Sequence, residues 1–259
     1  MKVSLFDDIL WAASFAGNLT LFLVLVLRGR WRQYPVFTAW MGFYVVESIA
    51  AYAIYSYAPK IYATAYWSMF AIDFLLQIAL VFEIARIVLA PTGTWVRDAR
   101  ARFFLWGSAG TLVAAGLTIA VHPLVRHSTD TWGIRAFLFT SLLFCELFLA
   151  MRLLAQKLGL VPRNYVMGLG TGLMIWALVS VGVDTAHSYF GVSHPTDFTI
   201  LEYVRTSSFI FAVFYWIITF WATEPERKPL SPEMRNYLVA LHAKVQYDSS
   251  QVSSVQNLR

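Results

Sequence analysis

Seven long apolar stretches divide this chain, at about 9–27, 36–57, 66–89, 103–122, 134–154, 165–187 and 201–221, each near the roughly 20 residues a helix needs to cross a bilayer. Short polar gaps separate them. Backbone groups in lipid have no water to bond, so each stretch must satisfy its own and is predicted to be a helix. The expected fold is all-α: a polytopic seven-transmembrane-helix bundle over residues 1–221.

The basic residues fall into alternate gaps. Arg28, Arg30 and Arg32 follow the first stretch. Arg97, Arg100 and Arg102 follow the third, with Arg86 near its membrane edge, and Lys157 and Arg163 follow the fifth, with Arg152 just inside it. Arg227, Lys228, Arg235, Lys244 and Arg259 lie beyond the seventh. The opposite gaps hold only Lys2, Lys60, Arg126 and Arg135. Fifteen against four predicts that the first set is cytoplasmic and the N-terminus outside.

The tail, residues 222–259, opens with Pro225, Pro229 and Pro232, which break a continuing helix. Met234, Leu238, Leu241 and Val245 then recur at helical spacing, which predicts a short amphipathic helix over about 232–247. A polar, Ser- and Gln-rich end follows and is expected to be disordered. No kinase, cyclase or nucleotide-binding domain is expected in so short a tail. Lys2 with Asp7 and Asp8 makes a poor signal peptide.

Composition agrees with the pattern: 58% hydrophobic, with 14% charged against about 25% in a soluble domain. The net charge of +5 is spread over loops, so it reads as membrane orientation and not as nucleic-acid binding. Cys145 is the one cysteine and can form no intramolecular disulfide.

Polar groups inside the stretches are costly in lipid and normally face the bundle interior. Asp73 and Gln77 share one face of the third stretch. Ser180, Asp184 and His187 share a face of the sixth, and Glu202, Arg205 and Thr206 a face of the seventh. If these faces converge they form an outward-facing polar pocket, in which Arg205 pairs with Glu202, Asp184 or Asp73. The pocket would bind a ligand, or its network would only lock three helices together. Glu47 and Glu146 lie at similar depth near the bilayer middle. A carboxylate there tends to hold a proton, which makes the two a candidate proton-coupling pair or, alternatively, packing residues. Glu83 and Arg86, three residues apart, are expected to pair on one helix. Gly168 and Gly172 form a small-xxx-small pattern that should let the sixth helix approach a neighbour.

Several classes are excluded. A retinal Schiff base needs a lysine in the last span, and Lys2, Lys60, Lys157, Lys228 and Lys244 all lie outside the spans. Receptor-type Asn-Pro-x-x-Tyr is missing, as are Gly-x-Ser-x-Gly and His-Glu-x-x-His. His122, His127, His187, His194 and His242 are too dispersed for a zinc or haem site. No enzymatic activity, metal or cofactor is expected.

The stretch Arg30-Trp-Arg-Gln-Tyr-Pro-Val-Phe-Thr-Ala-Trp, with Phe82-Glu83-Ile-Ala-Arg86-Ile-Val-Leu-Ala-Pro91, resembles a group of bacterial multi-helix membrane proteins. The resemblance covers mainly the first three helices. It implies a bacterial plasma membrane and carries no activity with it. The expected partners are the lipid bilayer and a membrane or cytoplasmic protein met through the basic loops and tail. The expected function is a non-enzymatic sensor or accessory subunit, with small-solute or proton-coupled transport as the alternative.

Overall fold

The computed structural model describes residues 5–89, 97–121, 128–158, 165–190 and 195–223. The expected tail helix and its disordered end lie outside these residues, as do His122, His127, His194 and His242. The described residues form seven α-helices and no strand: α1 (Leu5–Leu27), α2 (Pro35–Tyr57), α3 (Tyr62–Leu89), α4 (Arg97–Ala120), α5 (Ser128–Leu158), α6 (Tyr165–Phe190) and α7 (Pro195–Trp221). Five of them, α1, α2, α5, α6 and α7, are long and apolar enough to cross a membrane. Of the other two, α3 carries Asp73, Gln77, Glu83 and Arg86, and the apolar part of α4 is the shorter segment Gly107–Ala120. Several helices outrun their apolar stretches, α4 by starting at Arg97 and α7 at Pro195. Hydropathy marks what lipid or core can cover, whereas the backbone ladder continues past it.

The turn from α1 to α2 follows from its sequence. Gly29 takes φ 67, the left-handed conformation that ends a helix without a Cβ penalty. A single 3-10 turn, Arg30–Arg32, leads to Pro35, whose fixed φ suits the first helical position.

In sequence of contact, α1 packs on α2, α2 on α3, α3 on α5, α5 on α6, α6 on α7 and α7 back on α1. Six helices thus close a ring, with α4 lying chiefly against α5. The ring is filled by aromatic side chains. Phe37 meets Trp216 at 5.2 Å and Phe220 at 5.6 Å between ring centroids. Trp176 meets Phe209 at 5.5 Å and Trp40 at 6.0 Å. Edge-to-face and tilted geometries of this kind suit the ring quadrupoles.

The glycine spacing in α6 does the work its pattern suggests. Gly168 and Gly172 face α7, where an added Cβ would meet Thr219 Cγ2 at 2.5 Å and run into the Trp216 indole respectively. Gly170 faces α5, with Met151 Cε 3.0 Å from the same imaginary atom. The close approach lets Trp216 Nε1 donate to the Leu169 carbonyl at 3.2 Å. We expect Gly172→Leu to cost about 1–3 kcal/mol, the usual penalty for overfilling a packed site. Gly182, with nothing within 4 Å, is the control. Thermal unfolding in mild detergent should show a lowered midpoint for Gly172→Leu and none for Gly182→Ala.

Candidate functional site

At one end of the ring, α6 finishes, α7 begins and α1 begins. Helical spacing puts Ser180, Asp184 and His187 on one face of α6, and all three are buried. On α7, Arg205 Nη2 donates to Asp184 Oδ1, and Arg205 Nη1 lies 3.5 Å from Glu202 Oε1. The guanidinium sits over the Phe137 ring of α5 at 5.4 Å, so three helices enclose it. His187 stacks on Phe198 at 4.0 Å, and its Nδ1 is 3.7 Å from the same Glu202 oxygen. Glu202, 38% exposed, stands at the mouth, while Asp184 is 0% exposed. Nearby, the Tyr203 hydroxyl donates to Asp7 Oδ1 at 2.8 Å and ties α7 to α1.

Five buried atoms of this cluster have no hydrogen-bond partner among the described residues: Ser180 Oγ, Asp184 Oδ2, Arg205 Nε and both ring nitrogens of His187. They offer a hydroxyl, an acceptor, a donor and an imidazole. Buried polar atoms in folded proteins nearly always bond to something, protein or bound molecule. The arrangement therefore suits a small molecule able both to donate and to accept.

Asp73 and Gln77 belong to a second cluster. Asp73 accepts from Trp40 Nε1 and from Gln77 Nε2, each at 2.7 Å, and does not pair with Arg205. Tyr44 packs on Trp40 and faces the same carboxylate. Glu47, one turn beyond Tyr44 on α2, lies within electrostatic reach of Asp73. Tyr66 of α3 lies within electrostatic reach of Glu202, Glu47 and Arg205. Glu146 lies elsewhere, its carboxylate against Gly110 of α4. Equal depth in two helices does not fix the direction each side chain takes. Glu47 belongs with the α2–α3 acids and Glu146 with the α4–α5 contact.

Glu83 takes a role that local spacing hides. Pro35 starts α2, Tyr34 provides no side-chain cap, and the next two N–H groups point at α3. Val36 N donates to Glu83 Oε1 at 2.7 Å and Phe37 N to Glu83 Oε2 at 3.0 Å. The carboxylate caps α2 from another helix, where the helix dipole also favours a negative group. Arg86 is exposed one turn along and makes no ion pair with Glu83.

At the opposite end, Arg30 Nη2 donates to the Tyr165 hydroxyl at 2.5 Å, and that hydroxyl donates to the Ala222 carbonyl at 2.7 Å. Tyr165 stacks on Phe220, and the Arg28 guanidinium covers Trp221 at 4.7 Å. The α1–α2 turn thus grips the last turn of α7. Spacing gave no sign of this clamp, since its members are far apart in the chain. The only sequence signal was an arginine-rich turn containing aromatic residues. No group of three His, Cys, Asp or Glu among the described residues is placed to hold a metal ion. Compared with protein-family models, with curated proteins and with solved structures, the chain matches none.

Proposed function

We propose that this chain is a non-enzymatic sensor of the plasma membrane that spans it seven times, with the N-terminus outside and the C-terminus in the cytoplasm. A small polar molecule would bind at the Asp184–Arg205 cluster, and the basic loops and tail would pass the change to a partner protein. The observation that carries this reading is the pairing of two clamps on one helix pair: Asp184–Arg205 at one end of α6 and α7, Tyr165–Ala222 with Arg30 at the other. Between them α6 and α7 are in glycine-mediated contact, so a displacement at one end is carried along both helices. The packed aromatic core between the ends and the separation of Glu47 from Glu146 weigh against a proton-coupled carrier.

Topology is tested by fusing a reporter after Trp221 and another before Leu5. The first should be active only in the cytoplasm and the second only outside. A periplasmic signal from the C-terminal fusion would overturn the seven-span reading. Coupling is tested with a fluorophore on Ala222→Cys in a Cys145→Ser background, in nanodiscs. Asp184→Asn and Arg205→Lys should each change the emission of the label at the far end. If both leave it unchanged, the two ends are not linked and the clusters are packing devices of an accessory subunit.

A further inference from the structure

Arginine crowds the turn between α1 and α2. Arg28, Arg30 and Arg32 occupy alternate positions there, and no acidic residue lies between Asp8 and Glu47 in the chain. Glu83 reaches the start of α2 from α3, but both its oxygens are taken by the N–H groups of Val36 and Phe37. None of the three guanidinium groups has an ion pair among the described residues. Three positive charges thus stand close together in the chain with no described carboxylate paired to them.

Aromatic rings fix how these groups are held. The Arg28 guanidinium lies over Trp221 at 4.7 Å, that of Arg30 over Tyr165 at 4.2 Å and that of Arg32 over Trp31 at 5.3 Å. Arg28 and Arg30 meet the same last turn of α7, since the Tyr165 hydroxyl that Arg30 holds donates to the carbonyl of Ala222, the residue after Trp221. A guanidinium resting on a ring covers it with its face and leaves N–H edges free, and planar edges of this kind match the oxygens of a phosphate. Closing the C-terminal end of α7 accounts for Arg30 in part, through the Tyr165 relay. It does not account for Arg28 and Arg32, which are exposed and whose guanidinium groups make no hydrogen bond among the described residues. Nor does it account for Arg30 Nε, which is buried and bonded to none of them.

The surface beside the arginines is apolar. Leu27 precedes Arg28 and is 78% exposed. On α7, which packs against α1, Trp221 and Ile218 one turn before it are 58% and 70% exposed. A soluble anion would use the guanidinium groups and leave this surface bare, whereas a molecule with a phosphate head and long apolar tails covers both. A choline headgroup would add a fourth positive charge to the three, so the charge balance selects a lipid of net negative charge. We propose that the turn from Arg28 to Arg32 binds the phosphodiester headgroup of an anionic phospholipid, whose tails run along α1 and α7. This goes beyond the sensor reading and does not rest on it, because it requires only that this end of the helices lie at a membrane surface.

The test uses the full chain in mild detergent, with phosphatidylglycerol or phosphatidylcholine of the same tails added. Native mass spectrometry should show phosphatidylglycerol retained in preference, and the thermal midpoint should rise saturably with that lipid alone. Arg28→Gln together with Arg32→Gln should weaken the apparent affinity for it by at least about tenfold. Arg30 is left in place because it holds Tyr165. Should the double variant fail to fold, Arg32→Gln alone replaces it, with a smaller loss in the same direction. Lys60→Gln, which removes an exposed cation beyond the other end of α2, should bind as the parent does. Glycerol 3-phosphate, which has the anion without the tails, should leave the midpoint where sodium chloride of equal ionic strength leaves it. Equal retention of the two lipids, or no saturable rise with phosphatidylglycerol, overturns the proposal. So does binding that survives in the arginine variant or falls as far in Lys60→Gln. A saturable shift with glycerol 3-phosphate would make the turn a site for a soluble phosphate and overturn the lipid assignment.

Discussion

Arg205→Ala should lower the stability of the folded chain by about 3–5 kcal/mol, the cost typical of removing one partner from a buried ion pair. The argument rests on Asp184, which is 0% exposed and has one oxygen bonded to Arg205 and the other bonded to nothing among the described residues. Without the guanidinium, that carboxylate is enclosed with no compensating charge. The converse substitution, Asp184→Asn, should cost less, because Arg205 keeps Glu202 at 3.5 Å and the Phe137 ring. A double replacement by apolar residues, Asp184→Leu with Arg205→Met, should recover much of the loss, since buried pairs are often no better than well-packed apolar ones. Thermal unfolding of the three variants in one detergent measures the order. If Arg205→Ala matches the parent, the pair contributes nothing and the cluster is not a structural unit.

Glu83→Ala should be the next most damaging, at about 2–3 kcal/mol, because it strips two charge-assisted hydrogen bonds from the start of α2. Glu83→Gln keeps one accepting oxygen and should lose about half as much. Arg86→Ala, on an exposed side chain, should stay within about 0.5 kcal/mol. Amide exchange supplies the site-specific check: the N–H groups of Val36 and Phe37 should exchange faster in Glu83→Ala, with the middle of α2 unaffected. A large effect of Arg86→Ala would restore the intrahelical pair that spacing alone suggests.

These two residues show what the sequence carried and what it did not. The Arg205–Asp184 contact follows from face arithmetic, because each residue shares a stripe with other polar groups and lipid forces polar stripes inward. Glu83 resists that method. The i,i+3 rule sees only one helix, and the groups Glu83 bonds lie on another helix. Trp40 was equally hidden, since an indole N–H reads as apolar until a carboxylate is opposite it. Helix positions were legible from apolar runs, but the ends at Arg97 and Pro195 were not, because hydrogen bonding continues where hydrophobicity stops. Glu47 and Glu146 share a depth, and depth says nothing about azimuth.

The contact of Glu146 with α4 sets a mechanical condition on that helix. The carboxylate occupies the notch left by Gly110, where a Cβ would collide with it. One turn away, Gly107 has nothing within 4 Å of its side, so it faces open space and not the acid. At its far end α4 meets α5 again, where the Arg135 guanidinium donates to the Val121 carbonyl at 3.0 Å and to the Ile119 carbonyl at 3.3 Å. Two fastenings several turns apart, a notch and a clasp, key α4 to α5 in one register although little else in the ring touches it.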